Sequence, residues 1–178
     1  MAAVLSIGLA TYGLHAAENP TGPTADSSTG KFDIILRNDV LIKLFGLEDV
    51  TFNTVSATTG DLTGFTPSCV DSNVEKYEVS LTSSNSFALS PGSGAAIGNI
   101  PYTLTYSQKR GAADQVWGEG HLASGVAAGE FARDGIIGGD TCDAALDSKI
   151  TVDIKEADYK GKSVGVYSDT VTVTVSSI

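Results

Sequence analysis

The chain has little with which to do chemistry. Its 178 residues include two histidines, two cysteines, one tryptophan and one methionine, and 11 basic side chains face 21 acidic ones for a net charge of −10. So acidic a chain lacks the basic face that nucleic acid or an anionic lipid surface requires, which excludes both partner classes. His15 sits in an N-terminal apolar run, so a Ser-His-Asp triad would have to be built on His121, and no G-x-S-x-G turn accompanies it. No catalytic residue is expected, and the chain reads as a non-enzyme. C-x-x-C, H-E-x-x-H and the EF-hand loop are also missing, so neither a metal nor another cofactor is expected. Asp134, Asp140, Asp143 and Asp147 carry the oxygen donors that calcium uses. They lack the EF-hand spacing, however, and read as a solvated acidic loop. The stretch "GEGHLA" meets the loose dinucleotide fingerprint, but it follows no βαβ pattern and is set aside. No repeat of solenoid or propeller period is found. Beyond the first residues, nothing approaches the ~20 apolar residues of a membrane span.

What is present begins with "MAAVLSIGLATYGLHAA", residues 1–17, an apolar run closing on alanines ahead of the polar "ENPTGPTADSSTG". This is the pattern of the hydrophobic and cleavage regions of a secretion signal. The first basic side chain is Lys31, so the positive start of such a signal is missing. The true start then lies upstream, or the run is instead a buried N-terminal strand or helix. Residues 18–30, rich in Pro, Gly, Ser and Thr, offer no apolar face and read as a flexible leader. Export implies an oxidising compartment, in which Cys69 and Cys142 suit one disulfide. Closing a loop of about 70 residues would stabilise the fold by about 4 kcal/mol on the chain-entropy model. The other reading is two unpaired buried thiols.

From Phe32 onward, short segments of period-two alternation recur, at 40–47, 50–55, 74–81, 87–89, 100–106, 150–154 and 166–175. They are rich in β-branched and aromatic residues and bounded by Gly, Asn, Asp, Ser or Pro, which predicts a single all-β sandwich domain. In "DTVTVTVSSI", Val171, Val173 and Val175 face one way and threonines the other, predicting one buried and one wet face. Between Gly111 and Asp147 the alternation fades. A helical turn there would have to accommodate Gly125 and Gly129 at about 1 kcal/mol each, so a surface loop is expected. The stretch "KFDIILRNDVLIKLF" places two alternating segments back to back, Phe32, Ile34, Leu36 and then Val40, Ile42, Leu44. Arg37-Asn38-Asp39 makes a poor tight hairpin without glycine, so the first segment reads as a strand meant for somewhere else.

Four stretches carry a family resemblance: "LFGLEDVTFNTVS", "CVDSNVEKYEVSLTSSNSFAL", "IPYTLTY" and "GVYSDTVTVTVSSI". Together they resemble the spore coat protein U domain and the pilins of the archaic chaperone-usher pathway, over roughly residues 32–178. Gly165, Tyr167 and Asp169 before the terminal alternating strand are the most specific match. The chain departs from many members in having no cysteine in Val40 to Leu47. The resemblance implies an incomplete immunoglobulin-like sandwich of the pilin type at 40–178, with a donor-strand segment at 31–39. Phe32, Ile34 and Leu36 would then enter an acceptor groove lined by Tyr167, Val171, Val173 and Val175 of a neighbouring subunit. Arg37 to Asp39 would form the joint between donor and body. The resemblance further implies a periplasmic chaperone and an outer-membrane usher as partners, no cofactor, and a cell-surface fibre for adhesion or biofilm formation. A secreted β-sandwich that binds glycans or host protein is the alternative.

Overall fold

A computed structural model describes Gly22 and residues 26–53, 60–92, 98–108, 112–136 and 148–178. The chain divides into two units, Met1–Asp39 and Val40–Ile178. In the first, the described residues form neither strand nor helix, and its apolar side chains face solvent. Phe32 is 75%, Ile34 86% and Leu36 88% exposed. Residues 1–17, the expected signal, lie outside the described residues, as does most of the expected leader.

The second unit is all-β and antiparallel. One sheet runs in the order β1 (Ile42–Phe45), β2 (Leu62–Ser72), β9 (Ser148–Ile154), β6 (Thr103–Gln108), β7 (Gln115–Trp117). A second has the order β11 (Val171–Ser177), β3 (Lys76–Ser83), β8 (Ala127–Ala132). A small third sheet joins β10 (Tyr167–Ser168), β4 (Ala88–Pro91) and β5 (Ile100–Pro101), and one helical turn, α1 (Glu156–Tyr159), follows β9. Alternate residues of the first two sheets turn inward and meet: Tyr106 of β6 packs edge-on against Phe131 of β8 with ring centroids 4.7 Å apart, and Phe131 also meets Tyr77 of β3 at 5.8 Å. With Val70, Val79, Leu81, Leu104, Trp117, Ile150 and Ile154 they form the core of a sandwich, as the alternation predicts.

One end of that core is polar. The hydroxyls of Tyr77 and Tyr106 lie 2.8 Å apart between the two sheets. Gln108 Nε2 donates to the Ala132 carbonyl at 2.5 Å and to Asp134 Oδ1 at 3.2 Å. Asp134 Oδ2 accepts the Val70 amide at 2.8 Å, and Ser148 Oγ donates to the same carboxylate at 3.3 Å. Burial pushes both phenols above the ordinary tyrosine value, so they stay neutral as donors. Asp134, one of the four carboxylates weighed for calcium, is thus an internal acceptor, and the other three lie outside the described residues.

Three parts depart from the pattern read in the sequence. β2 carries Gly64 and Pro67 and buries Thr66, Ser68 and Ser72, so its inward face lacks the apolar alternation that marks a strand. Pro67 lies past the end of β1, where a missing donor is tolerated. Gly64 leaves room for Val50 and Phe52, whose atoms would meet a Cβ there at 2.7 and 3.0 Å. Residues 51–53 accordingly pack as coil rather than pair as a strand. In place of the loop expected after Gly111 stand β7 and β8, which deliver Trp117 and Phe131 fully buried. β8 holds an extra residue opposite β3 between Ala128 and Phe131. There Gly129 adopts φ +82°, and a Cβ would collide with the Phe131 ring, a bulge that only glycine fits.

Candidate functional site: an open strand edge

The last strand lies at an edge of its sheet among the described strands. β11 runs against β3 with Val171 opposite Ser83, Val173 opposite Leu81 and Val175 opposite Val79. Its three valines point to the core and its threonines to solvent. Yet the valines are only half-buried, while Val79 and Leu81 beside them are fully buried. Among the described strands β11 pairs with β3 alone, and β1, at the edge of the facing sheet, pairs with β2 alone. Ile42 and Leu44 of β1 are half-buried against the same core.

The register shows which part is open. Ile42 lies opposite Ser72, and Ser177 lies opposite Tyr77. The start of β1 and the end of β11 therefore both sit at the turn joining β2 to β3. β1 has four residues and β11 seven. At about 3.4 Å per residue, β1 ends before the half of β11 that carries Val171 and Val173. Past β1 the edge of β2 is followed by coil rather than strand, with the Glu48 amide donating to Thr66 Oγ1 at 2.6 Å and Val50 and Phe52 set over Gly64, so β11 keeps an edge with no strand partner among the described residues.

Asp169 fixes the open end. Its Oδ2 accepts Ser83 Oγ at 2.5 Å and the Tyr102 hydroxyl at 2.6 Å. Its Oδ1 accepts Ser84 Oγ at 2.6 Å, Asn85 Nδ2 at 3.2 Å and the Thr170 amide at 2.7 Å. Partial burial pushes this carboxyl up, but the donors from Ser83, Ser84, Tyr102 and Thr170 together outweigh it and hold the group below its ordinary 3.8. The turn so gripped contains two successive non-glycine residues in the left-handed region, Ser86 at φ 55° and Phe87 at φ 59°. Ser83 Oγ also accepts the Asn85 and Phe87 amides, at 3.1 and 2.6 Å.

Of the residues singled out for the groove, Val171, Val173 and Val175 come together on one face of β11. Tyr167 stands on β10 in another sheet, half-buried, opposite Pro91, its hydroxyl donating to the Ser163 carbonyl at 2.9 Å. Ile42 and Leu44 line the opposite edge and were not anticipated, because the sequence does not say which strands meet across a sandwich. The Ser83-Ser84-Asn85 run announces a turn but not the carboxylate 85 residues away. His121 is exposed, its amide donating to the Gly118 carbonyl at 3.0 Å. Cys69 is fully buried beside Val70, and Cys142 lies outside the described residues.

Among solved structures, the chain is similar to one from a chaperone–tip adhesin complex of CFA/I fimbriae biogenesis. The match has a TM-score of 0.54 at 15% identity and covers 77% of this chain. This chain spans 41% of that one's length. At that identity the likeness is one of fold. No family model matches the sequence, and no curated protein matches it.

Proposed function

We propose that the chain is a structural subunit of a surface fibre that polymerises by strand addition, Phe32, Ile34 and Leu36 of one copy filling the β11 groove of the next. The observation that carries this reading is the half-buried row Val171, Val173, Val175 on an edge without a strand partner among the described residues. Three exposed apolar side chains at the same two-residue spacing stand elsewhere in the chain. Such a contact joins two different surfaces and does not close on itself, so it gives filaments rather than rings. Burying each anchor contributes about 1.5–3 kcal/mol, and the backbone ladder adds to it. An open edge of this kind is an aggregation hazard, which a periplasmic chaperone would cover before an outer-membrane usher passes the subunit to the surface. The fold likeness to a chain of a fimbrial chaperone–adhesin complex supports this setting, with adhesion or biofilm formation as the fibre's purpose.

The test is the double variant Ile34→Asp, Leu36→Asp. Charges in an apolar groove block docking, so fibres are lost while the chaperone-bound, folded subunit is recovered in normal yield. Loss of both would place the segment in its own domain's core, and normal fibres would remove it as the donor. The same reading pairs Cys69 with Cys142, supported by the absence of a free cysteine among the described residues. Two alkylatable thiols in the native exported protein would overturn the pairing.

A secreted binding module is the second reading, favoured by the tip adhesin in the neighbouring complex. Exposed Phe32, Ile34 and Leu36 weigh against it, since a terminal adhesin needs no donor segment. Binding on a glycan array by the assembly-deficient double variant would favour it.

A further inference from the structure

We infer that Asp169 is a positioning residue for strand addition: it holds the open end of β11 at the height and orientation that an incoming strand requires. The inference rests on the strand-addition reading for its purpose, and on the geometry of one corner for its content. β1 flanks the turn end of β11 but not the end at Val171, so that end has β3 as its only strand neighbour among the described residues. It is instead tied down from its own first corner. One carboxylate gathers two serine hydroxyls, an asparagine amide, a tyrosine hydroxyl and the amide of Thr170.

These donors come from separate places. Ser83 ends β3, Ser84 and Asn85 open the left-handed turn, and Tyr102 lies between β5 and β6. The Tyr102 amide donates to the Phe87 carbonyl at 3.0 Å, and its ring meets Phe87 edge-on at 6.0 Å. Asp169 thus ties a strained turn, a connection between strands and the first residues of β11 into one corner. Backbone held in the left-handed region by non-glycine residues persists only where its surroundings over-determine it, and here the carboxylate is the common acceptor. The backbone continues the same tie, since the Ser84 amide donates to the Thr170 carbonyl at 3.0 Å. An added strand bonds main chain to main chain, so the geometry of Thr170 to Val173 decides whether its first ladder bonds form.

The experiment uses the full chain carrying Ile34→Asp and Leu36→Asp, so that its own segment does not compete, with a synthetic peptide of residues 31–39 as the added strand. In this background Asp169→Asn is compared with Asp153→Asn, a carboxylate that accepts Thr63 Oγ1 on the exposed face of the other sheet. Losing charge-assisted hydrogen bonds at the corner should weaken peptide binding about 10-fold, and the Asp153 control should leave it unchanged. Hydrogen exchange gives the second readout: protection falls at Thr170 and Thr172, whose amides face β3 in this register, and is kept at Val79 and Leu81. A uniform loss of protection would make Asp169 an ordinary stabilising residue and overturn the inference, as would unchanged peptide affinity. If the parent chain does not bind the peptide, the strand-addition reading fails, and the exchange readout still judges the positioning role. Should Asp169→Asn not fold, Tyr102→Phe and Ser84→Ala each remove one donor. They should lower affinity by a few-fold each, and no effect in either would count against the inference.

Discussion

Strands β3 and β11 lie side by side with inward residues in register, yet Val79 and Leu81 are sealed while Val175 and Val173 opposite them stay half-open. Composition does not separate them, for both alternate aliphatic and polar residues. Neighbours do. β3 has β11 on one side and β8 on the other, whereas β11 has β3 alone among the described strands. An inward side chain in a sandwich is covered by the facing sheet and also by the next strand along, and β11 lacks the second cover. A strand's pattern therefore tells which face is apolar, and only topology tells how much of that face is left for a partner.

The comparison can be broken most forcefully at its sealed side. Leu81→Ala removes a fully buried side chain from a close-packed site and should cost about 2–5 kcal/mol of subunit stability in denaturant unfolding. Val173→Ala, directly across the ladder, should cost less than about 1.5 kcal/mol in the unassembled subunit, because part of the side chain is already wet. Its penalty should then grow when the peptide of residues 31–39 is bound. Equal costs for the two variants would mean that the β11 groove is not open in solution.

A third prediction concerns the corner that holds β11. The Asp169 carboxyl has a folded value below its ordinary 3.8, so the unfolded chain takes up the proton first. The stability it contributes is whole above the ordinary value and is lost as pH falls through the lower folded one. The gap in stability between the parent and Asp169→Asn should be flat near neutral pH and should narrow below about 3.8. A gap that instead widens on acidification would reverse the assigned shift. The smallest effect belongs to the outer face of β3, where Lys76 pairs with Glu130 at 2.9 Å with both side chains exposed. Lys76→Ala should change unfolding free energy by no more than about 0.5 kcal/mol, which confines the difference between the strands to their inward faces.

How far the molecule could be read from its sequence follows the same division. β11 was legible in Val171, Val173 and Val175, and β9 in Ile150 to Ile154, because their buried residues are aliphatic and their exposed ones polar. β2 was not, since its inward residues include Gly64, Thr66, Ser68 and Ser72. These are chosen for close approach and hydrogen bonding rather than hydrophobicity. β7 was hidden because its three residues, Gln115, Val116 and Trp117, are too few to set a period, and β8 because it presents one large aromatic, Phe131, among alanines and a glycine. The valine face of β11 was visible in the sequence. Ile42, Leu44 and the donors around Asp169 were not, because they are brought there by pairings between strands distant in the chain.

The tyrosine pair between the sheets has a further consequence. An apolar interface between two sheets is tolerant of sliding, since one aliphatic contact substitutes for another at little cost. Hydroxyls 2.8 Å apart are not interchangeable in this way. A slip of two residues would leave Tyr77, Tyr106 and Gln108 buried without partners, and each stranded group would cost about 1–3 kcal/mol. The polar end therefore acts as an alignment pin between the two layers, at the end of the sandwich away from the Asp169 corner. In a sandwich with an open side, such a pin supplies the single alignment that a further strand would otherwise enforce.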